Sequence, residues 1–296
     1  MHSALPKTFI ALACLFMSSI TLAQPNAANP TAETVLPPTL DSIQLSSTQS
    51  NESEIWTRVF NQIWVRNVQT AAVYPFRPSQ ARANGRAVIV VPGGGYQFVS
   101  MSSEGFDVAE RLAAKGYHVF VLKYRTRPTP ADPVGFMAQI SKSFAQLGKG
   151  ELVDHPPAVD DLAKAIDYVR QNAGLYGVRN DSIGVIGFSA GARTSIRILE
   201  QYQQAALLNH VALIYPPTVH SVKSGPRPNL FLAIAVDDPL FEQGGLHLIS
   251  EWLKESRRVE FHLYSGGRHG FGMRPRGTTS DRWFEQYTEW LDDQKK

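Results

Sequence analysis

Cysteine is almost absent from the 296 residues: the one thiol, Cys14, lies inside an N-terminal apolar segment. No intrachain disulfide is available, and stability must come from an apolar core. Charge of one sign is also lacking, since 29 basic residues face 26 acidic ones for a net charge of +3, without a long basic run. That excludes the electrostatic footprint of a nucleic-acid or anionic-membrane partner. There is no H-E-x-x-H and no close His pair with acidic neighbours, so neither a metal site nor any other cofactor is expected. The longest apolar run, Phe9 to Leu22, is diluted by Ser18, Ser19 and Thr21 and falls short of the ~20 residues of a membrane span.

What the N-terminus does contain is Lys7, that short apolar run, and Thr21-Leu22-Ala23 before Gln24. The pattern reads as a secretory signal over residues 1–23, which predicts an exported protein, periplasmic in a bacterium or released outside the cell. Residues 24–54 are rich in Pro, Ala, Thr, Ser and Asn and read as a flexible lead-in. The remaining 55–296, in a chain that is 43% apolar and 19% charged, is long enough for one large core.

Within that span the apolar pattern alternates. A β-rich stretch from Ile63 to Phe76, broken around Asn67, predicts a first hairpin. Ala87 to Val91, His118 to Leu122, Ser182 to Gly187, Val211 to Tyr215 and Leu230 to Val236 are mostly uninterrupted short apolar runs, as expected of strands buried on both faces, and Val259 to Tyr264 reads as a further strand. Helical spacing separates them, in Phe106 to Ala113, Val159 to Val169, Ala192 to Tyr202, Leu246 to Leu253 and Phe284 to Leu291. The alternation predicts an α/β fold with a mostly parallel central sheet and helices on both faces. Residues 126–157, rich in Pro, are either a cap over a site or surface filler.

Three segments carry chemistry. In Gly187-Phe188-Ser189-Ala190-Gly191 a serine stands between a strand and a helix, the setting in which a tight turn lifts a nucleophilic Oγ above the sheet edge. A serine turn kept for packing is the competing reading. After another strand comes Pro92-Gly93-Gly94-Gly95-Tyr96, which lacks the Lys-Ser/Thr ending of a P-loop and the G-x-G-x-x-G spacing of a dinucleotide site. Its glycines suit close backbone approach to an oxyanion, with Gly94 N–H, Gly95 N–H and Ala190 N–H as the donors. His269, in the Gly-rich loop after the last strand, is the candidate base; His118 and His262 fall within strands. The acid that orients it should follow the strand ending at Val236, where Asp237 and Asp238 are adjacent, and spacing alone leaves the choice open. Asp160 and Asp161 open a predicted helix and read as caps.

Together with Ser103-Glu104-Gly105, Val121 to Arg125 and Asp237-Asp238-Pro239, these motifs resemble bacterial α/β-hydrolases of the acetyl esterase or acetylxylan esterase type, with feruloyl esterase-like and hormone-sensitive-lipase-type relatives. The resemblance runs in order from about residue 62 to 292. It implies an α/β-hydrolase fold with Ser189 as nucleophile, His269 as base, Asp238 as acid and Gly94, Gly95 and Ala190 as the oxyanion site. Two departures are Pro92, in place of the histidine of the lipase-type H-G-G-G motif, and Ile234-Ala235 before the acidic pair. The expected activity is that of a serine carboxylic-ester hydrolase removing short acyl groups, acetyl above all, from carbohydrate or similar alcohols. A general carboxylesterase or lipase for longer acyl chains is the first alternative. A non-catalytic binding protein on the same fold is the second, though none of the expected triad residues is missing. The expected partner is a small-molecule or carbohydrate ester; oligomeric state is not legible in the sequence.

Overall fold

The computed structural model describes residues 32–46, 54–151, 153–220, 222–256 and 258–294. The signal read over residues 1–23 lies outside them. The uninterrupted apolar runs form the strands that require cover on both faces. Twelve strands are present among the described residues: β1 Glu33–Val35, β2 Ile43–Gln44, β3 Ile55–Val59, β4 Gln62–Arg66, β5 Ala72–Phe76, β6 Ala87–Val91, β7 Phe98–Ser100, β8 His118–Lys123, β9 Ile183–Phe188, β10 His210–Ile214, β11 Asn229–Ala235 and β12 Val259–Tyr264. The helices are α1 Asp107–Ala114, α2 Pro133–Ala145, α3 Pro156–Gln171, α4 Ala173–Tyr176, α5 Ala190–Gln201, α6 Pro239–Gly244, α7 His247–Glu255 and α8 Trp283–Asp293.

The central sheet has eight strands in the order β12-β11-β10-β9-β6-β8-β5-β2. From β12 to β8 every pair is parallel, while β5 and β2 are added antiparallel at one edge. The α/β architecture expected from the sequence is present. Strand order reverses between β6 and β9, which pair with Val91 opposite Gly187. Their C-terminal ends therefore diverge into loops on either side of a crevice, the place where open α/β sheets hold ligands.

A second sheet, β1-β3-β4-β7, changes the reading of the first strands. The stretch from Ile63 to Phe76 is not one hairpin: β4 pairs with β3 and β7, while β5 pairs with β8 and β2. Asn67 causes the split, its φ of +54° turning the chain while its side-chain amide donates to Thr129 O and its Oδ1 accepts from Thr129 N. The true hairpin is β3–β4, closed by Phe60 and Asn61 at φ +49° and +60°, both positive as a tight two-residue turn demands. Part of the expected flexible lead-in is also ordered, since β1 and β2 extend the two sheets as edge strands.

The main core lies against both faces of the large sheet. A smaller cluster of Val59, Trp64, Phe98, Phe136 and Ile140 fixes α2 against the small sheet. Thus residues 126–157 pack onto the molecule through α2 rather than forming surface filler. Asp161 does not cap α3: fully buried, it accepts from Arg125 N and pairs with the Arg125 guanidinium at 2.7 Å. Among the described residues no helix is long and apolar enough to cross a membrane, and no group of three His, Cys, Asp or Glu could hold a metal ion.

Candidate active site

Between β9 and α5 the chain reverses at Ser189, which has φ +50° and ψ −114°. A non-glycine residue held there is strained, and the surrounding contacts must impose it. Ser189 N–H donates to Ile214 O at 3.0 Å, and Ser189 O accepts the first helical bond from Arg193 N at 2.9 Å. The flanking glycines make the turn possible. A Cβ on Gly187 would lie 2.5 Å from Gly191 O, and one on Gly191 would lie 2.0 Å from Val91 O.

His269 arrives from the loop after β12, where Gly267 has φ +151° and Arg268 φ +54°. Its Nε2 lies 2.8 Å from Ser189 Oγ and its Nδ1 2.8 Å from Asp238 Oδ2. Asp238 is fully buried at the N-cap of α6, where its Oδ1 also accepts from Leu240 N at 2.9 Å. Asp237 is exposed and accepts from Arg268 N at 2.8 Å and Gly267 N at 3.4 Å. Of the two acids only Asp238 meets the imidazole; Asp237 secures the loop that carries it. The ring of Tyr215 packs edge-on to His269, centroids 5.0 Å apart.

The glycine run after β6 faces the same point. Gly94 and Gly95 have φ +134° and +59°, and a Cβ on Gly94 would lie 2.0 Å from Phe98 O. Gly94 O accepts from Gln97 N and Phe98 N, and Gly93 O from Ser100 N, so the loop is fastened through its carbonyls. The Gly94 and Gly95 N–H groups have no partner among the described residues, and both glycines line the cavity beside Ser189. Ala190 N–H stands at the start of α5, where backbone N–H groups and the helix dipole favour negative charge. The six residues singled out in the sequence thus converge on one crevice.

Sequence reasoning missed the walls. One cavity of about 200 Å³ opens at Ser189 and His269 and is lined by Trp64, Phe98, Ile140 and Leu147, with Phe60 and Phe144 at its exposed edge. A second, of about 310 Å³, opens at Ser189 and Ala190 and carries Arg127, Lys149, Glu151, Arg193 and Gln243. Arg193 is held there by Asp154, 2.7 Å from its Nη2. The aromatic wall left a trace in the sequence, because Trp64 and Phe98 interrupt otherwise ordinary strands. The contribution of α2 left none.

Buried Glu104 entered the sequence reading only within the Ser103-Glu104-Gly105 motif, without a role of its own. It lies in a turn of π-helix, Ser102–Phe106, at the start of α1, and such turns are often found at functional sites. Burial pushes its carboxyl up, against the opposing pull of Tyr215, Gly93, His269 and Arg274.

Comparison with known proteins agrees with this architecture. The acetylxylan esterase of Xylanibacter ruminicola is 25% identical over 259 residues, covering 76% of this chain and 46% of that protein. Endo-1,4-beta-xylanase B of Butyrivibrio fibrisolvens is 29% identical over 105 residues, 36% of this chain and 13% of that one. The chain therefore spans less than half the length of either relative. Among solved structures, an α/β-hydrolase enzyme from a Medee basin deep-sea metagenome superposes with a TM-score of 0.60 at 24% identity, covering 86% of this chain and 98% of its own. The acetyl ester-xyloside bifunctional hydrolase of Caldicellulosiruptor lactoaceticus gives 0.61 at 20% identity, with 87% and 97% covered. These likenesses establish the α/β-hydrolase fold. A family model matches residues 71–293, a span holding Gly94, Gly95, Ser189, Ala190, Asp238 and His269, and the chain belongs to the dienelactone hydrolase family.

Proposed function

We propose that the protein is an exported serine esterase that removes short acyl groups, acetyl in particular, from carbohydrate or similar alcohols. The observation that carries the reading is the chain of two 2.8 Å contacts from Ser189 Oγ through His269 to buried Asp238. In this mechanism neutral His269 takes the Ser189 proton at Nε2 as Oγ attacks the ester carbonyl. Asp238 keeps the other imidazole proton on Nδ1 and stabilises the imidazolium. The oxyanion meets the N–H groups of Gly94, Gly95 and Ala190, donors that need no reorganisation. His269 then returns its proton to the departing alcohol, leaving an acyl-enzyme on Ser189 that water hydrolyses by the same steps.

The alcohol must leave beside His269, which assigns it to the aromatic cavity. Phe60 and Phe144 at the mouth offer flat faces of the kind on which sugar rings rest. The acyl group then points into the cavity with Arg193 and Lys149. The likeness to an acetylxylan esterase supports the carbohydrate part, and the N-terminal pattern from Lys7 to Ala23 supports export. An apolar cavity of about 200 Å³ beside the nucleophile favours one second reading, a carboxylesterase that holds a longer acyl chain there.

Hydrolysis of p-nitrophenyl acetate by the wild type and by Ser189→Ala tests the mechanism: the variant should lose activity, and equal rates refute the assignment. Acetate release from acetylated xylan, compared with cleavage of butyrate and octanoate esters, separates the two substrate readings. N-terminal sequencing of the exported protein should begin at Gln24.

A further inference from the structure

Glu104 is a buried carboxyl at the wall of the aromatic cavity, between the glycine run after β6 and the loop after β12. Its Oε2 accepts from Gly93 N at 2.7 Å and its Oε1 from Tyr215 Oη at 2.7 Å. The Tyr215 ring in turn packs edge-on against Phe271, two residues beyond His269, with centroids 4.6 Å apart. A buried path of two hydrogen bonds and a ring contact therefore joins the glycine run after β6 to the loop after β12. The same turn of π-helix makes a further tie to that loop, since Met273 N donates to Ser103 O at 2.9 Å. Space is short throughout: a Cβ on Gly93 would lie 2.8 Å from Glu104 Oε2 and 2.9 Å from Ser189 Cβ, and one on Gly272 would lie 3.2 Å from Glu104 Cγ.

Resting on the reading of Ser189 as nucleophile, we propose that Glu104 is a positioning residue. Through Gly93 and Tyr215 it fixes the separation between the oxyanion donors and His269. Gly93 is held through both of the peptides that flank it. Gly93 N–H is engaged by Glu104 and Gly93 O by Ser100 N. With both ends tied, the orientation of the next N–H, that of Gly94, is set before substrate arrives. An oxyanion donor is effective only when it is already aimed at the site where charge develops, and displacements near 1 Å cost on the order of 10²-fold. On the other side Tyr215 packs its ring on His269 and is buried at φ +41°, so Glu104 restrains the ring that backs the imidazole. A buried carboxyl held by two hydrogen bonds is a rigid tether, because either partner left unpaired there is costly.

The test compares Glu104→Ala, Glu104→Gln and Tyr215→Phe in the full chain, with Ser189→Ala as reference. Glutamine can keep its oxygen on Gly93 N–H and donate its amide to Tyr215 Oη, so it preserves the bridge without the charge. Glu104→Ala should lower kcat for p-nitrophenyl acetate by about 10- to 100-fold with KM within about threefold. The Ki of a trifluoromethyl ketone, which forms a tetrahedral adduct, should rise by the same factor. Glu104→Gln should restore most of the loss in both measurements. Tyr215→Phe keeps the ring and removes the hydroxyl, and it should show the same kcat-selective loss; it decides the question if Glu104→Ala does not fold. Values of kcat within twofold of wild type for the folded variants, with Ser189→Ala inactive, overturn the role of Glu104 alone. Full activity in Ser189→Ala instead overturns the reading beneath it.

Discussion

Replacing Asp238 by asparagine keeps the shape of the site and changes only which atoms carry hydrogen. Asp238 now accepts twice, from Leu240 N through Oδ1 and from His269 Nδ1 through Oδ2. Asparagine has one oxygen for these two demands. The Leu240 N–H is buried at the first turn of α6 and has no other acceptor, so the oxygen stays there and the amide NH₂ turns to His269. An NH₂ facing Nδ1 requires that nitrogen to be the acceptor, which moves the imidazole proton to Nε2. In that tautomer Nε2 has no lone pair for the Ser189 proton. The expected loss is on the order of 10⁴-fold in kcat, about 5 kcal/mol of transition-state stabilisation. The same change at Asp237 should cost under about 10-fold, because a single amide oxygen still serves Arg268 N, the shorter of its two bonds. The assay is kcat for p-nitrophenyl acetate at pH 7.5, normalised to folded protein by near-ultraviolet circular dichroism. A larger loss in Asp237→Asn than in Asp238→Asn would refute the tautomer reasoning.

Two further outcomes follow from other parts of the molecule. His210, buried between Tyr287 and Trp290, is held down to about 3 by burial, against an ordinary value of 6.5. Between those values the unfolded chain binds a proton that the folded one does not, so stability present above pH 6.5 is lost as pH falls, by up to about 1.4 kcal/mol per pH unit. Urea titrations at pH 6.5 and 5.0 should show a shallower fall for His210→Phe than for wild type; equal slopes contradict the assignment. Phe60 is 62% exposed at the rim of the aromatic cavity, so Phe60→Ala should raise KM for p-nitrophenyl esters several-fold and leave kcat and Tm nearly unchanged. An unaltered KM would remove Phe60 from the binding surface.

The parallel strands were legible because burial on both faces leaves no polar alternation, as in Ala87 to Val91. The turn at Ser189 was legible because Gly187 and Gly191 leave no room for a side chain. Sheet partners were not: nothing local in Gln62–Arg66 and Ala72–Phe76 says that they join different sheets, a split decided at Asn67 by contacts with Thr129. The edge strands Glu33–Val35 and Ile43–Gln44 are too short to show a period. Between Asp237 and Asp238 the residue pattern offered no decision, although Pro239 at the first position of α6 makes Asp238 the cap and turns its carboxylate inward. Glu104 was hidden for a different reason. Its partner Tyr215 lies 111 residues away, and only the folded chain brings an acid and a phenol into one buried contact.

The β3–β4 hairpin contributes Phe60 and Trp64 to the aromatic cavity, yet it lies before the family-matched span of residues 71–293. Two aromatic walls of the cavity therefore lie on a different length of chain from Ser189, Asp238 and His269, joined to it where β4 pairs with β7 just beyond the glycine run. The hairpin is tied in by more than that pairing, since Trp56 and Val65 enter the main core and Arg66 donates to Pro130 O and Ala131 O, so its exposed tip at Phe60 is the part that can change while the eight-stranded scaffold continues to hold Ser189, Asp238 and His269. Exchange of the residue at that tip is expected to alter preference among alcohols and to leave the chemical step as it was.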